Sequence, residues 1–235
     1  MAKLYSKGVI ILAKSILCYG DSNTWGCIPG TDKRFSRGER WTGILQNKLS
    51  DYYKPTNEFE IIEEGLAGRT MGSSSAREGR DGYTYLKPCL DSHNPLYSVI
   101  LMLGVNELKK VNNKSPEEIG DMLEYRFVRP ILEHLLLCGY LDEYESLDSY
   151  RKTHKLIIVC PPIVSEDNYN KCETSDKFLG ATDKSKELID IYRKISEKYY
   201  CGFIDSNGLE TGCDGLHLDI YGHEKLAEIL FKLIV

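Results

Sequence analysis

The sequence lacks both an excess of basic residues and a long apolar run. Its formal net charge is −5 over 235 residues, and no basic stripe with interleaved aromatic residues occurs. Nucleic acids and anionic membranes attract positive charge, so we expect neither as a partner. No apolar run reaches the roughly 20 residues that a membrane-spanning helix needs. We therefore expect no membrane span, and no internal repeat is visible.

The sequence also lacks the close cysteine pairs that are typical of metal and redox sites. Its eight cysteines are spread along the chain, with no Cys-x-x-Cys pair and no zinc-ligand spacing. Cys18 and Cys160 fall in apolar runs, where a free cysteine is commonly a small buried residue. We therefore predict reduced thiols, a cytoplasmic setting and no metal site.

The N-terminus carries only a weak resemblance to a signal peptide. Lys3 and Lys7 precede a short apolar run at residues 9–12, which Lys14 interrupts, and no small-residue cleavage site follows. We interpret residues 1–12 as an extension of one domain over residues 13–235. With 42% hydrophobic residues, a domain of that length has enough apolar side chains for a sizeable core.

One stretch near the N-terminus has the pattern of a reactive turn. An apolar run, residues 15–19, is typical of a buried strand and ends at Gly20 and Asp21. Ser22 then lies where a helical turn would begin, with its hydroxyl at the carboxyl end of a sheet. That geometry suits an acyl-transfer nucleophile. A helix N-cap or a phosphate-binding turn explains the same residues, so the stretch alone leaves both interpretations open.

Two later stretches supply groups that would complete such a site. Asp214 and His217 are three residues apart on one turn, so the carboxylate can orient the imidazole toward a serine. Asn106 follows another apolar run and can donate its amide to an oxyanion. His223 is the competing base, but it lies in a predicted helix and no carboxylate precedes it by three residues.

These stretches together resemble the SGNH (GDSL) hydrolase family over nearly the whole chain. The matching blocks are Gly20-Asp21-Ser22, Gly68-Arg69-Thr70, Gly104-Val105-Asn106 and Asp214-Gly215-Leu216-His217. The runs Arg40-Trp41-Thr42-Gly43 and Glu63-Glu64-Gly65-Leu66 look most like those of the bacterial arylesterase/acyltransferase branch.

The resemblance implies a role for each matching residue. Ser22 would be the nucleophile, His217 the base and Asp214 its orienting carboxylate. The Ser22 and Gly68 N–H groups and the Asn106 amide would form the oxyanion hole. We also expect Asp21, Trp25 and Arg69 to contact the substrate. Glu107 departs from the pattern, because the family usually has Asp there.

The order of apolar runs and helical patterns predicts an α/β fold. Five strands alternating with helices give a three-layer sandwich around a parallel sheet, in the flavodoxin-like order 2-1-3-4-5. We also predict one long helix with Ser115 as its N-cap, which runs to Cys138 with a kink at Pro130. A loop over residues 163–180, a helix capped by Thr182 or Asp183, and a last helix capped by Asp219 follow. The predicted strands cover residues 15–19, 59–63, 97–103, 155–160 and 201–205.

The sequence thus favours a serine esterase that hydrolyses small, short-acyl esters and needs no cofactor. An acyltransferase that passes the acyl group to an alcohol is the first alternative. A non-catalytic binding module on the same fold is the second. Aryl esters and acetylated sugars are equally open as substrates. The related branch forms oligomers, so the resemblance also allows a homo-oligomer.

Overall fold

A five-stranded parallel sheet forms the centre of the protein. The computed structural model describes residues 13–56, 58–72, 78–138, 155–173 and 176–235, so the predicted extension at residues 1–12 lies outside it. The predicted α/β fold and the strand order β2-β1-β3-β4-β5 are confirmed. The strands are β1 (Lys14–Gly20), β2 (Phe59–Gly65), β3 (Ser98–Met102), β4 (Leu156–Val159) and β5 (Gly202–Ile204).

Helices cover both faces of this sheet, because side chains along each strand alternate between two apolar cores. In β1, Leu17 and Tyr19 point into one core, while Ile16 and Cys18 point into the other. All four are fully buried, which explains why the strand is a continuous apolar run. The helices are α1 (Ser22–Trp25), α2 (Trp41–Tyr52), α3 (Gly82–Ser92), α4 (Pro116–Leu123), α5 (Arg129–Cys138), α6 (Glu166–Glu173), α7 (Ala181–Tyr199) and α8 (Ile220–Ile234).

The two faces of the sheet are covered by different helices. Helices α2 and α8 cover one face, where Trp41 and Leu226 are fully buried. Helices α3, α4, α5 and α7 cover the other face, where Phe127 and Tyr192 are fully buried. Burying such a large side chain contributes roughly 1.5–3 kcal/mol. Both layers leave the carboxyl edge of the sheet to the loops.

The predicted long helix is divided differently from our expectation. A π-helical turn, Glu124–Val128, separates α4 from α5, and the Arg129 N–H bonds back to the Glu124 carbonyl. Pro130 lies just beyond this turn and has no N–H to give to the preceding helix. The wider turn lets the chain pass the proline, so the irregularity precedes Pro130 instead of being a kink at it.

The predicted loop at residues 163–180 also differs, because it contains helix α6. The helix that follows, α7, begins after Gly180, and neither Thr182 nor Asp183 is its N-cap. The Glu166 carboxylate of α6 accepts the Gly180 N–H at 2.8 Å and the Thr182 N–H at 3.0 Å. A side chain from the preceding helix therefore replaces the local cap.

Two helix starts agree with the predicted N-caps. Ser115 and Glu118 form a capping box at the start of α4. Asp219 caps α8 by accepting the Gly222 N–H at 2.8 Å. Among the described residues, no helix is long and apolar enough to cross a membrane.

Candidate active site

Ser22 lies at the tight turn between β1 and α1. The Asp21 carboxylate caps α1 by accepting the Asn23 N–H at 3.0 Å, and Gly26 ends the helix at φ 86°. Gly20 is needed where the strand meets this turn, because a Cβ there would lie 2.0 Å from Thr24 Oγ1. The turn places Ser22 at the carboxyl end of the central strand.

The structure brings Ser22, His217 and Asp214 into one chain of hydrogen bonds. The distance from His217 Nε2 to Ser22 Oγ is 3.0 Å, and that from His217 Nδ1 to Asp214 Oδ2 is 2.7 Å. With the proton of the imidazole on Nδ1, Nε2 is an acceptor for the Ser22 hydroxyl. The arrangement can therefore move a proton from the serine to the histidine.

Asp214 is held by backbone donors as well as by the imidazole. Its Oδ1 accepts the N–H groups of Leu216 and His217, each at 3.0 Å, and its Oδ2 accepts the Gly30 N–H at 2.8 Å. Burial alone would raise the pKa of this carboxyl, but the bonds and charge from His217 outweigh it and lower the pKa to about 2. Asp214 is thus an anion at neutral pH. The sequence carried no signal for the contribution of Gly30, which is 184 residues away.

Three potential oxyanion donors come from the ends of β1, β2 and β3. Within the described parts of the chain, the N–H groups of Ser22 and Gly68 make no hydrogen bond. Gly68 has φ 79°, a conformation that glycine adopts without strain. The Asn106 side-chain nitrogen donates to the Arg69 carbonyl at 3.0 Å and carries a second hydrogen that this bond does not use.

Glu107 supports the loop that carries Gly68. Its Oε1 accepts the Met71 N–H at 2.6 Å, and the side chain is buried. Burial raises the pKa of Glu107 to about 7, and the charge on Asp21 adds to this. The longer side chain found here in place of the family's usual Asp therefore still bonds to the neighbouring loop.

The three expected substrate contacts have different surroundings. Asp21 and Arg69 are almost fully buried, at 1% and 2% exposure, and Trp25 is only partly buried. Arg69 donates to the carbonyls of Gly20 and Glu64. Burial favours structural roles for Asp21 and Arg69. Trp25 keeps exposed surface that is available for a contact with the substrate.

His223 takes a different position from His217. It is fully buried, and its Nδ1 accepts the Trp41 N–H at 3.2 Å. Burial lowers its pKa to about 4, and the neighbouring charges of Arg40 and His217 add to this. His223 is thus a neutral packing residue that bonds the start of α2.

One group of residues in the described chain has ligand atoms close enough for a metal ion. Atoms of Glu64, Cys89 and His93 lie within 4.8 Å of one another. Burial raises the pKa of the Cys89 thiol to about 12, and the Arg69 guanidinium lies 3.9 Å from Glu64. A protonated thiol and a neighbouring cation both oppose metal binding. His93 instead forms a hydrogen bond with Glu64 at 3.0 Å.

Comparison with known proteins gives structural relatives that are esterases. No protein-family model matches the chain, and no curated protein matches it. A carbohydrate acetylesterase from Sinorhizobium meliloti is 30% identical, with a TM-score of 0.74, over 93% of this chain and 97% of that one. The inhibitor-bound aryl esterase of M. smegmatis is 27% identical, with a TM-score of 0.73, over 94% of this chain and 100% of that one.

A more distant structure agrees in fold alone. The lipase/acylhydrolase from Enterococcus faecalis is 17% identical, with a TM-score of 0.63, over 94% of this chain and 95% of that one.

Proposed function

The chain belongs to the SGNH (GDSL) hydrolase family and is a carboxylic ester hydrolase, and on that premise we propose that it cleaves small, short-acyl esters through an acyl-enzyme on Ser22. One observation carries the proposal. Ser22 Oγ lies 3.0 Å from His217 Nε2, although the two residues are separated by 195 positions in the sequence. The other ring nitrogen of His217 bonds the buried carboxylate of Asp214. A structural serine needs no such partner.

In the first half of the reaction, Ser22 Oγ attacks the ester carbonyl while His217 Nε2 takes its proton. Asp214 stabilises the imidazolium that forms and holds its tautomer. The carbonyl oxygen becomes an anion, which the Ser22 and Gly68 N–H groups and the Asn106 amide stabilise. The bond from carbon to the leaving oxygen then breaks, and His217 gives that oxygen its proton.

In the second half, water replaces the alcohol. His217 removes a proton from the water, whose oxygen attacks the acyl carbon, and the bond to Ser22 Oγ breaks as the serine regains a proton. These steps use only the chain's own side chains and backbone. An alcohol in place of water would give acyl transfer, which the same geometry permits.

The acyl group to test first is acetyl. The Sinorhizobium meliloti relative is named a carbohydrate acetylesterase, and the M. smegmatis relative an aryl esterase. Those names differ in the alcohol part of the ester, so we propose a short acyl group and leave the alcohol to the assay. The cytoplasmic setting is a further proposal, which rests on eight cysteines that are all thiols.

A panel of esters tests this function. Nitrophenyl acetate, butyrate and octanoate are compared with peracetylated xylose, using the wild type, Ser22→Ala and the exposed control Ser92→Ala. We expect acetyl esters to react fastest and Ser22→Ala to lose at least about a thousandfold in kcat. Undiminished turnover by Ser22→Ala would refute the mechanism. A preference for octanoate would refute the short-acyl specificity, and ester exchange with added alcohol that outpaces hydrolysis would favour the acyltransferase.

A further inference from the structure

Asn23, the residue directly after Ser22, bonds the two peptide groups on either side of His217. Its side-chain nitrogen donates to the Leu216 carbonyl at 3.3 Å, and its side-chain oxygen accepts the Leu218 N–H at 2.9 Å. We propose that Asn23 is a positioning residue that sets His217 against Ser22, an inference that rests on the proposed function.

His217 needs an external anchor, because no regular element carries it. Between β5 and α8, residues 205–219 form no helix or strand, apart from an isolated bridge from Thr211 to Leu218. Asp214 fixes the imidazole from within this loop. Asn23 fixes the backbone of the loop to the turn that carries the nucleophile. The base and the nucleophile therefore share one anchor.

Asn23 is itself held firmly enough to serve as that anchor. Asn23 is 1% exposed and lies in α1. Its N–H donates to Asp21 at 3.0 Å, and its carbonyl accepts the Trp41 indole N–H at 3.1 Å. Because all these bonds are buried, a change at the side chain is transmitted to the His217 loop instead of being absorbed by solvent.

The amide chemistry of asparagine suits this position. It supplies one donor and one acceptor on a short side chain, and both are used. Leucine has a similar shape but neither group. Aspartate keeps the acceptor for Leu218 and loses the donor for Leu216, so it repels that carbonyl. Asn23→Leu therefore removes both hydrogen bonds, and Asn23→Asp removes the one to Leu216.

The expected effect falls on the chemical step. A misplacement of about 1 Å in a reacting group can cost roughly a hundredfold in rate. Proton transfer from Ser22 to His217 belongs to the transition state, whereas ester binding does not depend on it. We therefore expect kcat to fall by about 10- to 100-fold in Asn23→Leu, and KM to stay within about threefold.

The experiment compares Asn23→Leu and Asn23→Asp with Thr24→Val. Thr24 is the next residue of α1, is equally buried, and its hydroxyl makes no hydrogen bond within the described chain. It controls for general loosening of the turn. Steady-state kinetics with nitrophenyl acetate and the rate of labelling by a fluorophosphonate are measured, with circular dichroism to verify folding. Labelling should slow in parallel with kcat in both Asn23 variants.

Several results would overturn the inference. A folded Asn23→Leu with wild-type kcat would do so, as would an equal loss in Thr24→Val. If Asn23→Leu does not fold, wild-type kcat in Asn23→Asp would have the same meaning. A failure of the proposed function is distinguishable, because Ser22→Ala would then retain its turnover whatever the result at position 23.

Discussion

Replacing Asp214 with asparagine should disable the site through the tautomer of His217. Asp214 Oδ1 accepts two backbone N–H groups, while Oδ2 faces the Gly30 N–H and His217 Nδ1. In Asp214→Asn the amide oxygen replaces Oδ1 and keeps its two hydrogen bonds. The NH₂ group replaces Oδ2 and donates to His217 Nδ1. The imidazole proton then lies on Nε2.

Asp214→Asn should lower both kcat and the free energy of unfolding. With its proton on Nε2, His217 has no acceptor for the Ser22 proton, and a change of this kind costs about 10⁴-fold in kcat. The pKa of Asp214 falls from 3.8 to about 2 in the folded protein. Because the folded-state pKa is lowered, about 2 kcal/mol of stability is present above pH 4 and is lost as the pH falls toward 2. Asp214→Asn lacks that contribution.

The assay measures kcat with nitrophenyl acetate at neutral pH and unfolding by urea at the same pH. Asp205→Asn is the matched control. This carboxylate follows β5 and accepts a hydrogen bond of 2.9 Å from Arg193, and among the described residues it has no bond to the triad. We expect the control to keep wild-type kcat. A kcat for Asp214→Asn within tenfold of the wild type would refute the tautomer argument.

Two further predictions concern the oxyanion site and the buried histidine. Asn106→Ala should lower kcat by about 10²- to 10³-fold with little change in KM, because its amide acts on charge that appears in the transition state; a change in KM alone would contradict this role. His223 has a folded pKa lowered to about 4, so its contribution to stability is present above pH 6.5 and is lost as the pH falls toward 4. Between pH 7 and pH 5, urea unfolding should show the wild type losing about 2 kcal/mol more than His223→Gln, and equal losses would contradict the assignment.

The sequence was sufficient to predict the strand order and the proximity of Ser22, Asp214 and His217. The apolar runs of β1, β3 and β5 stop directly before Gly20, Gly104 and Asp205, so the carboxyl ends of these strands could be located. Parallel topology then brought Ser22, Asn106 and the Asp214 loop to one edge. Asp219 and Ser115 were recognised as caps because their donors are only three residues away.

Contacts between distant parts of the chain were not predictable in this way. The two side-chain hydrogen bonds of Asn23 reach Leu216 and Leu218, which are 193 and 195 positions further along the chain. No spacing rule predicts contacts over such separations. The cap of α7 came from Glu166, a helix residue in a segment whose polarity indicated a loop. Burial also distinguishes Trp25 from Arg69, two residues for which the sequence alone predicted the same contact with the substrate.

Labelling of the wild type by a fluorophosphonate, followed by intact-mass analysis and peptide mapping, tests the central claim most directly. The account predicts one added group per chain, located on Ser22, with much slower labelling of His217→Ala. A protein that takes up no label, carries it on another residue, or is labelled as fast without His217 would contradict the account.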